Sequence, residues 1–352
     1  MSIVVAILAL GLLITLHELG HFLAARALGV GVPRFSIGFG PVLWSRWIGG
    51  TEYCLSALPL GGYVRMVGED DPSAVGTVAT DAFNGKPRWA RAIIVAAGPL
   101  ANLVTAWVLY ALVFSLGVPV LTSTVGEVKS DLPAAAAGIE KGDRILSVDG
   151  RATERWDDLS AAIRESAGRP VVLEVQRGEK IQQVDLTPQQ IEGSTIFGEP
   201  IPSWVIGVGP SSSAVLTERL GPIDAIGAGF TRTGEVVGLT VMSLVKLVQG
   251  VVPASSLGGP VMIVKMAGDQ AQEGVAALLA FMAILSVNLG VLNLFPIPVV
   301  DGGQLLFLGI EGVTRRPLGA RTRDWAMQVG LVLLVSLMGF ALFNDLHRLV
   351  TG

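Results

Sequence analysis

Residues 3–28 read IVVAILALGLLITLHELGHFLAARAL, and their reading decides the fold. A run that crosses a bilayer as a helix needs about 20 mostly apolar residues, and this one is long enough. It nevertheless carries His17, Glu18 and His21. Polar groups of that kind are costly in hydrocarbon and mark a functional segment. His17 and His21 stand four apart on one helical face, so both imidazoles can reach a single metal ion. Glu18, next to the first histidine, is placed to hydrogen-bond a water on that ion and accept its proton. The run has no basic start and no small-residue cleavage site, so it reads as a retained span rather than a removable leader.

Three further stretches, 92–118, 274–295 and 325–343, qualify as spanning helices. The composition agrees: charged residues make up 15% of the 352, against about 25% in soluble domains, and mean hydropathy is +0.60. A net charge of -4 excludes a nucleic-acid partner as an expectation. One cysteine, Cys54, excludes an internal disulfide or a multi-cysteine metal site. Arg26, Arg34, Arg46, Arg65, Lys86, Arg88 and Arg91 lie between the first two spans, and Arg315, Arg316, Arg321 and Arg323 between the last two. The bias of lysine and arginine toward cytoplasmic loops predicts that both segments are cytoplasmic, with the long middle section and both termini outside.

The third span runs into Asn293-Leu294-Phe295-Pro296-Ile297-Pro298-Val299-Val300-Asp301-Gly302-Gly303. Two prolines remove backbone donors and break the helix. Irregular backbone at membrane depth is tolerated only where it is buried in protein or lines a wet cavity. A catalytic zinc takes three protein ligands and keeps one position open. His347 sits at the far end of the chain and reads as a surface residue, so Asp301 is the candidate third ligand; it can also be read as a helix N-cap. A proton or ion path lined by Asn288, Asn293 and Asp301 is the competing reading, and it leaves the His17–Glu18–His21 spacing without a purpose.

Between the first two spans, 34–40, 51–57 and 62–66 alternate at period two and predict strands lying against the membrane. A free edge there, with Ile37, Gly38 and Phe39, is the expected platform for capturing an unwound substrate by strand addition. Residues 121–210 form an αβ module: a strand at 125–128, a short capped helix from Asp131, a strand at 144–148, a helix at 157–165 with Leu159 and Ile163 on one face, and a hairpin of 171–176 and 181–186. Its run from Ala137 to Gly150 (AGIEKGDRILSVDG) closely resembles a bacterial PDZ domain. In 223–248 apolar residues recur at helical spacing, interrupted by Arg232, Glu235 and Lys246, which predicts a helix at the interface or packed between domains. The organisation is therefore a membrane domain in two parts, 1–120 and 274–352, with the module at 121–210 and linker helices at 211–273. The fold class is an α-helical polytopic membrane protein with a membrane-associated cytoplasmic β-sheet and an inserted αβ domain.

Taken together, the helical H-E-x-x-H, the N-x-x-P-x-P-x-x-D-G block and the inserted module resemble the site-2 protease family of intramembrane zinc metalloproteases, in particular its bacterial sigma-E-regulator type. Residues 35–40, 58–64, 96–102 and 340–345 look like further blocks of that family. The resemblance implies one zinc ion held by His17, His21 and Asp301, Glu18 as the base, and Asn293 holding the substrate or its oxyanion, with Pro296 and Pro298 beside it. It also implies single-pass membrane substrates such as an anti-sigma factor or signal-peptide remnants, an upstream site-1-type protease acting first, and a place in the bacterial inner membrane, with the active site toward the cytoplasm and the PDZ domain periplasmic. The best-known members of this type carry two PDZ domains in tandem, whereas one module is legible here.

Overall fold

The computed structural model describes residues 2–69, 81–256, 258–316 and 318–351; Met1 and Gly352, the outer ends of the two expected membrane parts, lie outside them. In chain order the elements are α1 (Ser2–Ala27), β1 (Arg34–Ile48), β2 (Thr51–Arg65), α2 (Arg88–Leu116), β3 (Val118–Leu121), β4 (Val125–Val128), α3 (Pro133–Ala136), β5 (Arg144–Val148), β6 (Arg151–Ala152), α4 (Trp156–Glu165), β7 (Val171–Arg177), β8 (Lys180–Leu186), β9 (Gln189–Ser194), β10 (Pro200–Val205), β11 (Val208–Pro210), β12 (Val215–Glu218), α5 (Pro222–Val248), α6 (Pro260–Glu273), α7 (Val275–Leu294), α8 (Asp301–Thr314) and α9 (Ala320–Thr351). Among the described residues four helices, α1, α2, α7 and α9, are long and apolar enough to cross a membrane. These are the four expected spans, although α9 is longer at both ends than 325–343.

The chain divides into two compact units. One holds 1–115, 221–247 and 253–352; the other holds 116–220 and 248–252. In the first, α1 and α2 approach closely because Gly20 leaves no room for a side chain against Ala97 O and Ala101. Gly11 does the same against Pro59 of β2. Glu311 of α8 is buried and receives Arg91 of α2 and Arg323 of α9, each at 3.4 Å, which ties three helices together at their arginine-bearing ends. Asp345 of α9 accepts the backbone N–H groups of Gly259, Val261 and Met262 at 2.8–3.0 Å, capping α6 from across the unit. Gly259, at the cap position, has no side chain of its own to do this.

The helix α5 turns its small residues, not its large apolar ones, toward the protein. Its buried residues are Ala225, Gly229, Thr233 and Val236, whereas Ile223, Ile226, Phe230 and Val241 of the apolar stripe are exposed. A Cβ at Gly229 would press on Trp107 O and Ala111 of α2, and Thr240 reaches Asn288 of α7 at 2.8 Å. Small residues let helices pack closely in lipid, where large apolar side chains need no partner from the protein. Residues 221–247 fall in the same compact unit as the four long apolar helices.

Both long strands are bent double. Residues 34–37 pair with 52–55 on one side and with 62–65 on the other, while 44–48 pair back onto 51–55. Positive φ at Gly38, Gly40 and Gly61 makes the bends. The outer end of the hairpin exposes Leu43, Trp44, Trp47 and Ile48, as a sheet against a membrane requires.

The second unit is the αβ module. The antiparallel sheet β6-β5-β7-β8 packs α4 through Leu159 and Ile163, around a core that includes Ile145, Val171, Leu173 and Val175. Asp143, from the Gly142-Asp143 turn, is buried and receives both Nε and Nη2 of Arg177 at 2.7 Å. This paired guanidinium holds the Asp143 carboxyl below the usual carboxylate range. Three features differ from expectation. The helix α3 has no side-chain cap from Asp131; Leu132 is the cap residue and Pro133 fixes the first turn. A polar hairpin, β9–β10, follows the sheet. Finally β3 pairs with β12, Val118 opposite Glu218 and Leu121 opposite Val215, so the module spans 116–220 rather than 121–210.

Candidate metal centre

His17 and His21 face inward one turn apart on α1, both more than nine-tenths buried. Asp301 joins them from the first residue of α8. Its Oδ2 lies 3.1 Å from His17 Nε2 and 3.5 Å from His21 Nε2, and the two Nε2 atoms are 3.2 Å apart. Bonds of about 2.0–2.1 Å in a tetrahedron put zinc ligand atoms about 3.3–3.4 Å apart, so all three separations suit one zinc ion. Among the described residues these three alone form a group able to hold a metal. Val300, not Asp301, is the N-cap of α8, and no side chain caps it. The carboxylate of Asp301 is turned to the imidazoles instead.

Three glycines make this approach possible. A Cβ at Gly98 of α2 would overlap His21 Nε2 and His17 Cε1. A Cβ at Gly302 would overlap the carbonyls of Leu294 and Phe295, and one at Gly303 the carbonyl of Ile297. The Asp-Gly-Gly start of α8 can thus fold back against the 294–298 break and deliver Asp301. The outer ring atoms are held as well. His21 Nδ1 lies 2.9 Å from Ile94 O, in the turn of α2 that precedes Pro99. His17 Nδ1 lies 3.1 Å from the side-chain amide of Asn102. Sequence reading missed Asn102 as a site residue, although an amide within an apolar span is itself a signal.

Glu18 stays outside the ligand set, and its Oε2 accepts the backbone N–H of Val64 at 3.2 Å. Residues 59–64 run along α1: Pro59 at Gly11, Gly61 at Ile14 and Thr15, Val64 at Glu18. The residues of the expected platform lie within the sheet. Ile37 is paired with both Leu55 and Gly62, so its backbone has no free edge; Phe39 pairs with Leu58, and Gly38 is a bend. Asn293 is half-buried on the last turn of α7 and is not bonded to the three ligands. Pro296 is exposed, and Pro298 packs against Gly330 of α9. His347 is exposed on α9, its ring beside Phe343.

Residues 5–337 match the model of the family described as Peptidase family M50. The chain is 35% identical to a protein of Agrobacterium fabrum named as a zinc metalloprotease, over 366 positions that cover 99% of this chain and 96% of that one. It is also 35% identical to the regulator of sigma-E protease RseP of Escherichia coli, over 444 positions covering 97% and 98%. That alignment of 444 positions against a chain of 352 leaves at least 92 positions with no counterpart here. A solved PDZ domain from Listeria monocytogenes is 27% identical and covers 26% of this chain and 87% of its own, with a TM-score of 0.21.

Proposed function

This chain belongs to peptidase family M50 and is a zinc metalloprotease, and from that premise we propose that it cuts the membrane-spanning segments of single-pass proteins. The observation that carries the reading is the 3.1–3.5 Å triangle of His17, His21 and Asp301 at the meeting of α1 and α8. His17, His21 and Asp301 would hold a zinc ion, whose Lewis acidity would act on a scissile carbonyl and on a water near neutral pH. Glu18 accepts the proton of the attacking water and passes it to the departing amide nitrogen. The substrate must arrive unwound, because helical carbonyls are shielded by their own hydrogen bonds. The strand 62–65, paired on one side to 34–37 and reaching Glu18 through Val64 N–H, is the edge to which an unwound segment adds. Asn293, Pro296 and Pro298 line the approach from the break before Asp301, with Asn293 holding the substrate.

By the arginine-rich segments, the site opens toward the cytoplasmic face of a bacterial inner membrane and the PDZ module lies on the periplasmic side. The relatives named for sigma-E regulation favour an anti-sigma factor as substrate, with signal-peptide remnants as a second class. Cleavage then follows a first cut outside the membrane by a site-1-type protease. The module acts as a steric filter that admits trimmed substrates, a reading supported by the scarcity of glycine in the loop between β4 and α3.

The test is zinc content and cleavage measured on the same membranes. Glu18→Gln should keep near-stoichiometric zinc and lose cleavage, since an amide cannot accept the proton. His21→Ala and Asp301→Ala should lose both zinc and cleavage. Cleavage by Glu18→Gln at the wild-type rate would overturn the assignment of the base.

A further inference from the structure

Asn102 is fully buried in the middle of α2, one turn beyond Gly98. Its backbone carbonyl accepts Ser286 Oγ of α7 at 2.7 Å, which fixes the residue between two helices. Its side chain ends 3.1 Å from His17 Nδ1, on the side of the ring away from Asp301. The amide nitrogen faces the ring and Oδ1 has no partner. That arrangement makes Nδ1 an acceptor and puts the ring proton on Nε2, where it points at His21 Nε2 and Asp301. No lone pair then remains on His17 for a metal.

His21 shows the other arrangement. Its Nδ1 faces the carbonyl of Ile94, which can only accept. Nδ1 therefore carries the proton and Nε2 presents its lone pair toward Asp301. The two ends of an asparagine amide have the same shape and are told apart by their hydrogen bonds. Exchanging them in Asn102 lets Oδ1 accept the Nδ1 proton of His17, and both imidazoles then present Nε2 lone pairs to one point.

We propose that Asn102 is a positioning residue for the metal: its side-chain oxygen accepts the Nδ1 proton of His17 and so fixes the ring tautomer that can ligate. Such outer partners of ligating histidines commonly contribute 10–100-fold in metal affinity. The inference rests on the zinc reading above. It adds that an amide, which stays uncharged, serves here where a carboxylate would place another charge in the span.

The full chain, purified in nanodiscs and titrated with buffered free zinc, separates the two. Wild type that binds no zinc sinks the metalloprotease reading itself. With wild type binding, Asn102→Leu, close in size and without an acceptor, should bind zinc about 10–100-fold more weakly. Asn102→Asp, which keeps the acceptor, should stay within about threefold of wild type, and the melting points of zinc-free wild type and zinc-free Asn102→Leu should agree. Equal affinity of Asn102→Leu and wild type overturns the proposal. Equal loss in Asn102→Leu and Asn102→Asp, with a lowered zinc-free melting point, also overturns it and makes Asn102 a packing residue. Nitrogen chemical shifts of His17 in the wild type need no variant: a protonated Nδ1 supports the assignment and a protonated Nε2 refutes it.

Discussion

The helices α4 and α5 are built by opposite rules. In α4 the two buried residues are Leu159 and Ile163, and the charged residues Asp157, Asp158 and Arg164 point away from the core. In α5 the buried face is Ala225, Gly229, Thr233 and Val236, and Phe230, at 68% exposure, points out. The helix α5 lies against α2 and α7, two of the four helices apolar enough to cross a membrane, so its exposed apolar face fits lipid better than water. Water drives large apolar side chains inward, whereas lipid accepts them and leaves close contact of small residues to hold helices together. The same chain therefore needs two readings of an apolar stripe, one for each medium.

The comparison breaks if matched leucines behave alike. Leu159→Ala in the module should cost about 2–5 kcal/mol, as large-to-small changes in well-packed cores do. Leu333→Ala on α9, where the residue is exposed along the span, should cost about 0.5 kcal/mol or less. Hydrogen exchange of the full chain in nanodiscs reads both. Similar acceleration around the two sites would refute the two-solvent account.

A smaller effect sharpens it. Gly229→Val overfills the contact with Trp107 and Ala111 and should destabilise the zinc-loaded protein by about 1–3 kcal/mol. Gly227→Val adds a Cβ that meets no neighbouring heavy atom within 4 Å and should cost clearly less. Equal shifts in the melting point would mean that the small face of α5 is not a packing face.

The smallest effect belongs to the module alone. The folded Asp143 carboxyl sits below its ordinary value because Arg177 pairs with it. Its contribution is complete above the unfolded value of about 3.9 and is lost as the pH falls through the lower folded value. Between pH 5 and acid the exchange rates of the β5 and β7 amides should rise more steeply in wild type than in Arg177→Gln. Parallel profiles would show that the pair does not stabilise the folded module.

Much of the chemistry was legible in the residues. The spacing of His17 and His21 is a property of the helix itself, and the two prolines before Asp301 announce a break without any tertiary information. The PDZ-like turn at Gly142-Asp143 was legible too, though not the reason for it, which is the reach of Arg177 from the end of β7. What stayed hidden depends on contacts distant in sequence. Alternation identified strands at 34–40 and 62–66, but not that 34–37 lies between two partners, because period two says nothing of neighbours. The stripe in α5 was visible and its direction was not, since hydropathy does not name the medium a face meets. Asn102 gave a single polar letter with no spacing to read, and its role rests on a histidine 85 positions away.

The pairing of β3 with β12 has a consequence for how such chains change length. Because Val118 lies opposite Glu218 and Leu121 opposite Val215, the module begins and finishes at one place, like a loop drawn shut by a clasp. Whatever is threaded between those strands presents the same two chain ends to α2 and α5. A domain can then be gained or lost there without resetting the register of the helices that hold the metal. At least 92 positions of the alignment with the Escherichia coli relative have no counterpart in this chain, a length that such an insertion point can absorb.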